Sequence, residues 1–172
     1  MATKKLTNEF MEKSLNDSAW KELSGDFQWT EQMLEKHKDK VDWKEISNNS
    51  NIVWTPAMLE KFKKNIDWIE LSKTSCETIL TEECLEQFKE YWDWTELSDN
   101  SDIELNYQLI DRFIDQWNWS VLIDCWHSDE LYNIEFLERY ADKIPSSKLQ
   151  NSRLWESLVE ERAKDLKHEV IA

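Results

Sequence analysis

The chain repeats itself. Five segments open on tryptophan and read alike: Trp20-Lys-Glu-Leu-Ser24, Trp43-Lys-Glu-Ile-Ser47, Trp68-Ile-Glu-Leu-Ser72, Trp94-Thr-Glu-Leu-Ser98 and Trp119-Ser-Val-Leu-Ile123. They lie 23, 25, 26 and 25 residues apart. A second block falls between them: Met33-Leu-Glu-Lys-His37, Met58-Leu-Glu-Lys-Phe62, Cys84-Leu-Glu-Gln-Phe88, Leu109-Ile-Asp-Arg-Phe113 and Phe136-Leu-Glu-Arg-Tyr140, with an earlier copy at Phe10-Met-Glu-Lys-Ser14. A period of this size marks stacked supersecondary units, none of which can bury its apolar face alone.

Both blocks carry helix-start chemistry. Thr7, Thr30, Thr55, Thr81, Asn106 and Asn133 stand three residues before the apolar pair, where a side-chain oxygen can accept from unpaired first-turn amides. Pro56 follows Thr55 at the first helical position, where a missing N–H costs nothing. An apolar residue precedes each cap and another follows five positions on, as in Trp29 with Leu34, Trp54 with Leu59 and Tyr132 with Leu137. That is the spacing of a hydrophobic staple. The tryptophan block starts a second helix. Asp42, Asp67 and Asp93 precede their Trp, and Glu45, Glu70 and Glu96 complete the pattern of a capping box; Asn118 takes the cap position in the fifth copy, with Val121 in place of the Glu. Polar loops such as Asn48-Asn49-Ser50-Asn51 supply turns in a chain whose one glycine is Gly25.

Each unit therefore reads as a helix of about three turns, a tight corner, a short helix and a polar loop. The expected fold is all-α, a right-handed α-solenoid-like array of five to six two-helix repeats. The units run over about 7–29, 30–54, 55–80, 81–105, 106–132 and 133–151, with a capping helix at 152–170, all in one domain.

These units resemble the tryptophan-rich W-x-x-L-S repeats of uncharacterised bacterial, phage and giant-virus proteins. Asp67 to Ser72 and Leu59 to Phe62 carry the likeness, which spans Thr7 to Ile144 and weakens at Val121 and Ile123. The resemblance implies a helical array acting as an interaction module. It implies no catalytic residues.

Composition narrows the function. With a single glycine there is no phosphate-cradling loop, and a net charge of −15 argues against direct binding to nucleic acid. No apolar stretch approaches the ~20 residues that span a bilayer, and Met1 to Asn8 lack a signal-peptide core, so a cytoplasmic protein is expected. Cys76, Cys84 and Cys125 fit no zinc spacing and read as reduced thiols; no metal and no cofactor are expected. Eleven tryptophans invite a stacking role, but nine of them, Trp126 and Trp155 excepted, recur at repeat positions and read as packing. The column Glu12, Glu35, Glu60, Glu86, Asp111 and Glu138, each followed by Lys, Gln or Arg, reads as an ion-pair ladder rather than as paired catalytic acids. No catalytic residue is assigned and no enzyme is expected.

Two irregularities stand out. The loop from Asp124 to Tyr132 carries the extra Trp126 with His127, Asp129 and Glu130. Residues 93–138 hold 12 acids and one base, Arg112. Insertions in repeat arrays map to one face, often the binding face, and a negative field steers a basic partner. The expected function is a protein–protein interaction module using Asp99, Asp102, Glu104, Asp111, Asp115, Asp124, Trp126, His127, Asp129 and Glu130 against a protein with a basic surface. A second reading is an acidic nucleic-acid mimic that inhibits a basic nucleic-acid-binding enzyme, such as a phage or viral anti-defence protein. A third is a small-ligand site at Trp126, His127 and Tyr132.

Overall fold

The computed structural model describes residues 8–126 and 131–171. Among them are twelve helices and no strand. The chain divides into two compact units, Met1–Cys84 and Leu85–Ala172. The first holds α1 (Asn8–Asp26), α2 (Glu31–His37), α3 (Trp43–Asn48), α4 (Pro56–Phe62) and α5 (Trp68–Leu71). Helix α6 (Glu82–Gln87) carries the chain across the division. The second unit holds α7 (Trp94–Asp99), α8 (Tyr107–Arg112), α9 (Trp119–Leu122), α10 (Ile134–Tyr140), α11 (Ser146–Leu149) and α12 (Arg153–Ile171).

The caps act where the residue types place them. Thr30, Thr55, Thr81, Asn106 and Asn133 accept from the amides of Met33, Met58, Cys84, Leu109 and Phe136 at 3.4, 3.2, 3.3, 2.9 and 3.0 Å. The helices they open are shorter than the three turns expected. They run six or seven residues, then tighten into turns such as the paired bonds from Lys40 and Val41 to the His37 carbonyl. At four of these five ends the indole of the following tryptophan caps the stop. Trp43, Trp68, Trp94 and Trp119 donate Nε1–H to the carbonyls of Lys38, Lys63, Lys89 and Ile114 at 2.9–3.1 Å. Each indole satisfies a carbonyl that a helix end leaves unpaired, which no phenylalanine could do.

The first copy departs from the pattern. Ala19 stands where later copies have Asp or Asn, so no cap interrupts the chain before Trp20 and α1 runs through as one helix of 19 residues.

The serine closing each tryptophan block ties one repeat to the next. Ser24 and Ser47 are buried; each donates to the carbonyl of its own tryptophan and accepts from the cap amide one repeat later, Asp42 and Asp67, both at 2.9 Å. In the second unit Ser98 holds Asn118 N–H in the same way at 2.9 Å. This corrects the expected capping box. The cap amide is spent on the previous serine, and the third-position glutamates reach back instead. Glu45 pairs with Lys21 at 3.4 Å, and Glu70 with Lys44 at 3.6 Å as well as with Lys73 at 3.3 Å on its own turn. Asn118 is a second correction. It makes no side-chain cap bond, because its amide is turned to Thr95 Oγ1 at 3.3 Å.

The fifth copy ends in Ile123, which has no hydroxyl, and the next cap position is Pro145, which has no N–H. Acceptor and donor are lost together, so no buried group is orphaned.

Side chains at one repeat position form the cores. Leu34 and Leu59 in the first unit and Leu85 and Ile110 in the second are 0% exposed. Val41 and Ile66, and then Trp92, Trp117 and Ile144, fill another buried position. The helices that carry the tryptophan block pack on one another, α1 on α3, α3 on α5, and α7 on α9. Repeat tryptophans lie against the aromatic residue of the next long helix: Trp43 on Phe62 at 5.3 Å, Trp94 on Phe113 at 4.9 Å and Trp119 on Tyr140 at 5.0 Å between centroids. Burial on this pattern is the main stabilising term, about 1.5–3 kcal/mol for each fully buried large side chain.

Candidate functional site

The acidic segment lies in the second unit, and the structure separates its members. Asp99 closes α7. Asp102 and Glu104 are exposed in the following loop, whose bend is set by buried Asn100 accepting from Asp102 N–H at 3.0 Å. Asp99 and Asp124 line one cleft of 370 Å³ with Ser101, Cys125, Trp126 and Arg153. Among the described residues, Asp99, Asp102 and Glu104 have no ion-pair partner.

Trp126 is 69% exposed, the most exposed of the described tryptophans. The Arg153 guanidinium lies over one ring face at 3.0 Å from the centroid. Arg153 N–H donates to Asp124 Oδ1 at 3.3 Å, which holds the start of α12 against the loop. Cation and carboxylate thus frame an indole with one face covered.

Asp111 and Asp115 lie elsewhere, on and just after α8, and both are paired. Asp111 accepts from Arg139 and from the Tyr140 hydroxyl, the latter at 2.8 Å. Asp115 accepts from Lys143 at 2.7 Å. The Arg139 bond holds the Asp111 carboxyl below the ordinary aspartate value, and Lys143 does the same for Asp115. Their charge is therefore not a free field. The bases that compensate them sit beyond residue 138, one repeat later, so a charge count along the chain misses them. The repeat offset was the available signal. Arg112 reaches Glu86 at 3.1 Å, and Lys61 reaches Glu35 at 3.6 Å, over the same one-repeat distance within their units. The ion-pair ladder expected from the acidic column is present in part, at Glu35, Glu86 and Asp111, while Glu60 pairs with Lys63 three residues on.

His127, Asp129 and Glu130 lie outside the described residues. Tyr132 is buried, and its hydroxyl donates to the carbonyls of Leu122 and, at 3.3 Å, Cys125. Burial pushes its ionisation far above the ordinary value. The hydroxyl is a loop anchor turned inward, while the residue forms part of the wall of a larger cleft beside Trp126. A second, larger cleft of 670 Å³ shares Trp126 and Arg153 and runs along α12 past Glu156, Glu160 and Lys164. It is open and polar-walled. No group of three or more His, Cys, Asp or Glu that could hold a metal is found among the described residues.

Of the nine tryptophans read as packing, Trp29, Trp54, Trp92, Trp117 and Trp119 are buried, while Trp20, Trp43, Trp68 and Trp94 are half-buried. His37 is half-buried too, its ring 5.5 Å from Trp20 and 6.3 Å from Trp29. The described helices include none long and apolar enough to cross a membrane.

Comparison with known proteins returns no match to a protein family, a curated protein or a solved structure.

Proposed function

We propose that this chain is a non-enzymatic protein-interaction module. Its repeats are read as an α-solenoid of the tryptophan-rich W-x-x-L-S kind. Its binding surface is the loop side of the second unit, at Asp99, Asp102, Glu104, Asp124 and Trp126, and its partner is a protein with a basic surface. One observation carries this reading. An exposed indole shares a cleft with Asp99 and Asp124, and Asp99, Asp102 and Glu104 have no ion-pair partner among the described residues, whereas Asp111 and Asp115 elsewhere in the unit are paired. Tryptophan anchors dominate interface energetics, and rim charges set the encounter rate.

Affinity capture with the full chain, followed by mass spectrometry, identifies the partner. Trp126→Ala should weaken its binding through faster dissociation. Asp99→Lys with Asp102→Lys and Glu104→Lys should slow association and flatten its salt dependence. Asp111→Lys with Asp115→Lys should do neither. Unchanged binding by the first two variants would overturn the proposal.

Nucleic-acid mimicry is the less supported reading, because two of the five carboxylates it needs are tied to Arg139 and Lys143. A captured enzyme released from the chain by competing DNA, and weakened equally by all five reversals, would favour it instead.

A further inference from the structure

The larger cleft beside Trp126 carries a charge pattern of its own. Its 670 Å³ run along α12 from Arg153 past Glu156, Glu160 and Glu161 to Lys164. The three glutamates and Lys164 are exposed, and none has an ion-pair partner among the described residues. Arg153, Glu156, Glu160 and Lys164 follow one another at steps of three, four and four residues, so they form one row on the helix. Read along the cleft, the row is base, acid, acid, base.

Trp126 lines the same cleft and already holds one cation. The Arg153 guanidinium lies over a ring face at 3.0 Å from the centroid, yet the residue stays 69% exposed, so ring surface is left open. An indole face attracts a cation. A guanidinium suits the place better than an ammonium, because it stacks on aromatic rings and meets a carboxylate through two donors.

Spacing selects the form of the ligand. Glu156 and Glu160 stand about 6 Å apart along the helix axis. An extended chain sets every second side chain on one face, about 6.6 Å apart. Alternate arginines of an extended segment therefore match the two carboxylates, whereas adjacent arginines point to opposite faces. Arg153 and Lys164 bound the row at its two ends and limit the cationic stretch to two side chains. Between them the helix rises about 16 Å, the length of about five extended residues.

We propose that this cleft binds an extended Arg-x-Arg segment of the partner protein, one arginine at Glu156 beside Trp126 and the other at Glu160. The proposal rests on the reading of the chain as an interaction module for a basic protein, and it carries the binding surface from the loop onto α12.

Calorimetry on the full chain at low salt, with two capped peptides of one composition, tests it. Gly-Arg-Gly-Arg-Gly should bind several-fold more tightly than Gly-Arg-Arg-Gly-Gly. Its affinity should fall about tenfold with Trp126→Ala, and by a similar factor with Glu156→Gln combined with Glu160→Gln. Lys164→Gln removes a like charge and should tighten binding. All four positions are exposed, so folding is not at stake. The Trp126 indole N–H resonance, identified by its absence in Trp126→Ala, should shift on titration. No binding of either peptide overturns the proposal. So does equal affinity for the two, indifference to the paired glutamate variant, weaker binding with Lys164→Gln, or tighter binding of spermidine, which has the cations without the backbone. The captured partner separates this proposal from the module reading. A partner released by Asp99→Lys with Asp102→Lys and Glu104→Lys, but held unchanged by Glu156→Gln with Glu160→Gln, would overturn the cleft proposal and leave the module standing.

Discussion

At the residue scale, a small buried hydroxyl has more structural consequence than its size suggests. Ser47 donates to the Trp43 carbonyl and accepts the Asp67 amide, so it serves one repeat and locks the next. Ser47→Ala leaves a part-buried amide without a partner and should cost about 1–3 kcal/mol in urea unfolding. Ile123→Ser should restore nothing, because Pro145 offers no N–H to accept. The staple tryptophans allow a second comparison at matched positions. Trp29 donates its indole N–H to Leu23 O at 3.1 Å, whereas the buried Nε1 of Trp54 has no partner. Phenylalanine removes similar ring area from both sites but gives up a bond at one and an orphaned donor at the other. Trp29→Phe should therefore cost at least about 1 kcal/mol more than Trp54→Phe in the same unfolding experiment; equal losses would mean that ring area alone decides. The cysteines differ in the same local way. Burial pushes the thiols of Cys84 and Cys125 up to about 11, and Cys76 is the more exposed. Iodoacetamide at pH 8 on the folded chain should label Cys76 first by mass spectrometry, the other two only after denaturant is added.

At the scale of the element, most of the architecture was legible in the sequence because the caps are local chemistry. Thr55 with Pro56 and Asn106 before its apolar pair fix helix starts within a turn, and each was found where the spacing places it. What was not legible depended on a neighbouring repeat. The glutamates of Glu45 and Glu70 type read as capping-box partners, but the amide they were to accept from is taken by a serine about twenty residues earlier. Helix length was overestimated because the turns that follow each first helix carry no sequence breaker; a tryptophan indole caps four of these ends, and α10 stops at the same length without one. The carboxylates of the candidate site were legible as residues but not as free or paired, since that is decided by Arg139 and Lys143 from later elements. Asp67 and Asn118 share the cap position, yet Asp67 accepts from Glu70 N–H at 3.2 Å while Asn118 makes no cap bond. Asp67→Ala should cost about 0.5–2 kcal/mol, and Asn118→Ala distinctly less, when the two are compared by thermal denaturation. Equal losses would place the value of this position in its backbone geometry rather than in its carboxylate.

At the scale of the whole molecule, the net charge of −15 sets two electrostatic effects against each other. Self-repulsion among the carboxylates opposes the compact state, and the pairs along the repeats favour it. Exposed pairs contribute little individually, so repulsion is the larger effect at low ionic strength. Raising salt from about 10 mM to about 1 M shortens the screening length from about 30 Å to about 3 Å. The melting temperature at pH 7 should therefore rise with sodium chloride; a fall would show that the ladder dominates. Single neutralisations separate the two effects further. Asp102→Asn removes a charge that has no ion-pair partner and should raise the melting temperature at low salt. Asp111→Asn removes the same charge together with the Arg139 pair, and should lower it relative to Asp102→Asn. The difference between these two variants has a fixed pH dependence. Arg139, with help from the Tyr140 hydroxyl, holds the folded Asp111 carboxyl below the ordinary value of 3.8. A depressed folded value means that the pair stabilises above the unfolded value and that this contribution is lost as pH falls through the depressed one. The gap between Asp111→Asn and Asp102→Asn should thus be full at pH 6–7, narrow below about pH 4, and close once Asp111 is protonated in the folded chain. A gap that persisted in strong acid would mean that Asp111 acts through its hydrogen-bond geometry with Tyr140, which asparagine only partly reproduces, and not through its charge.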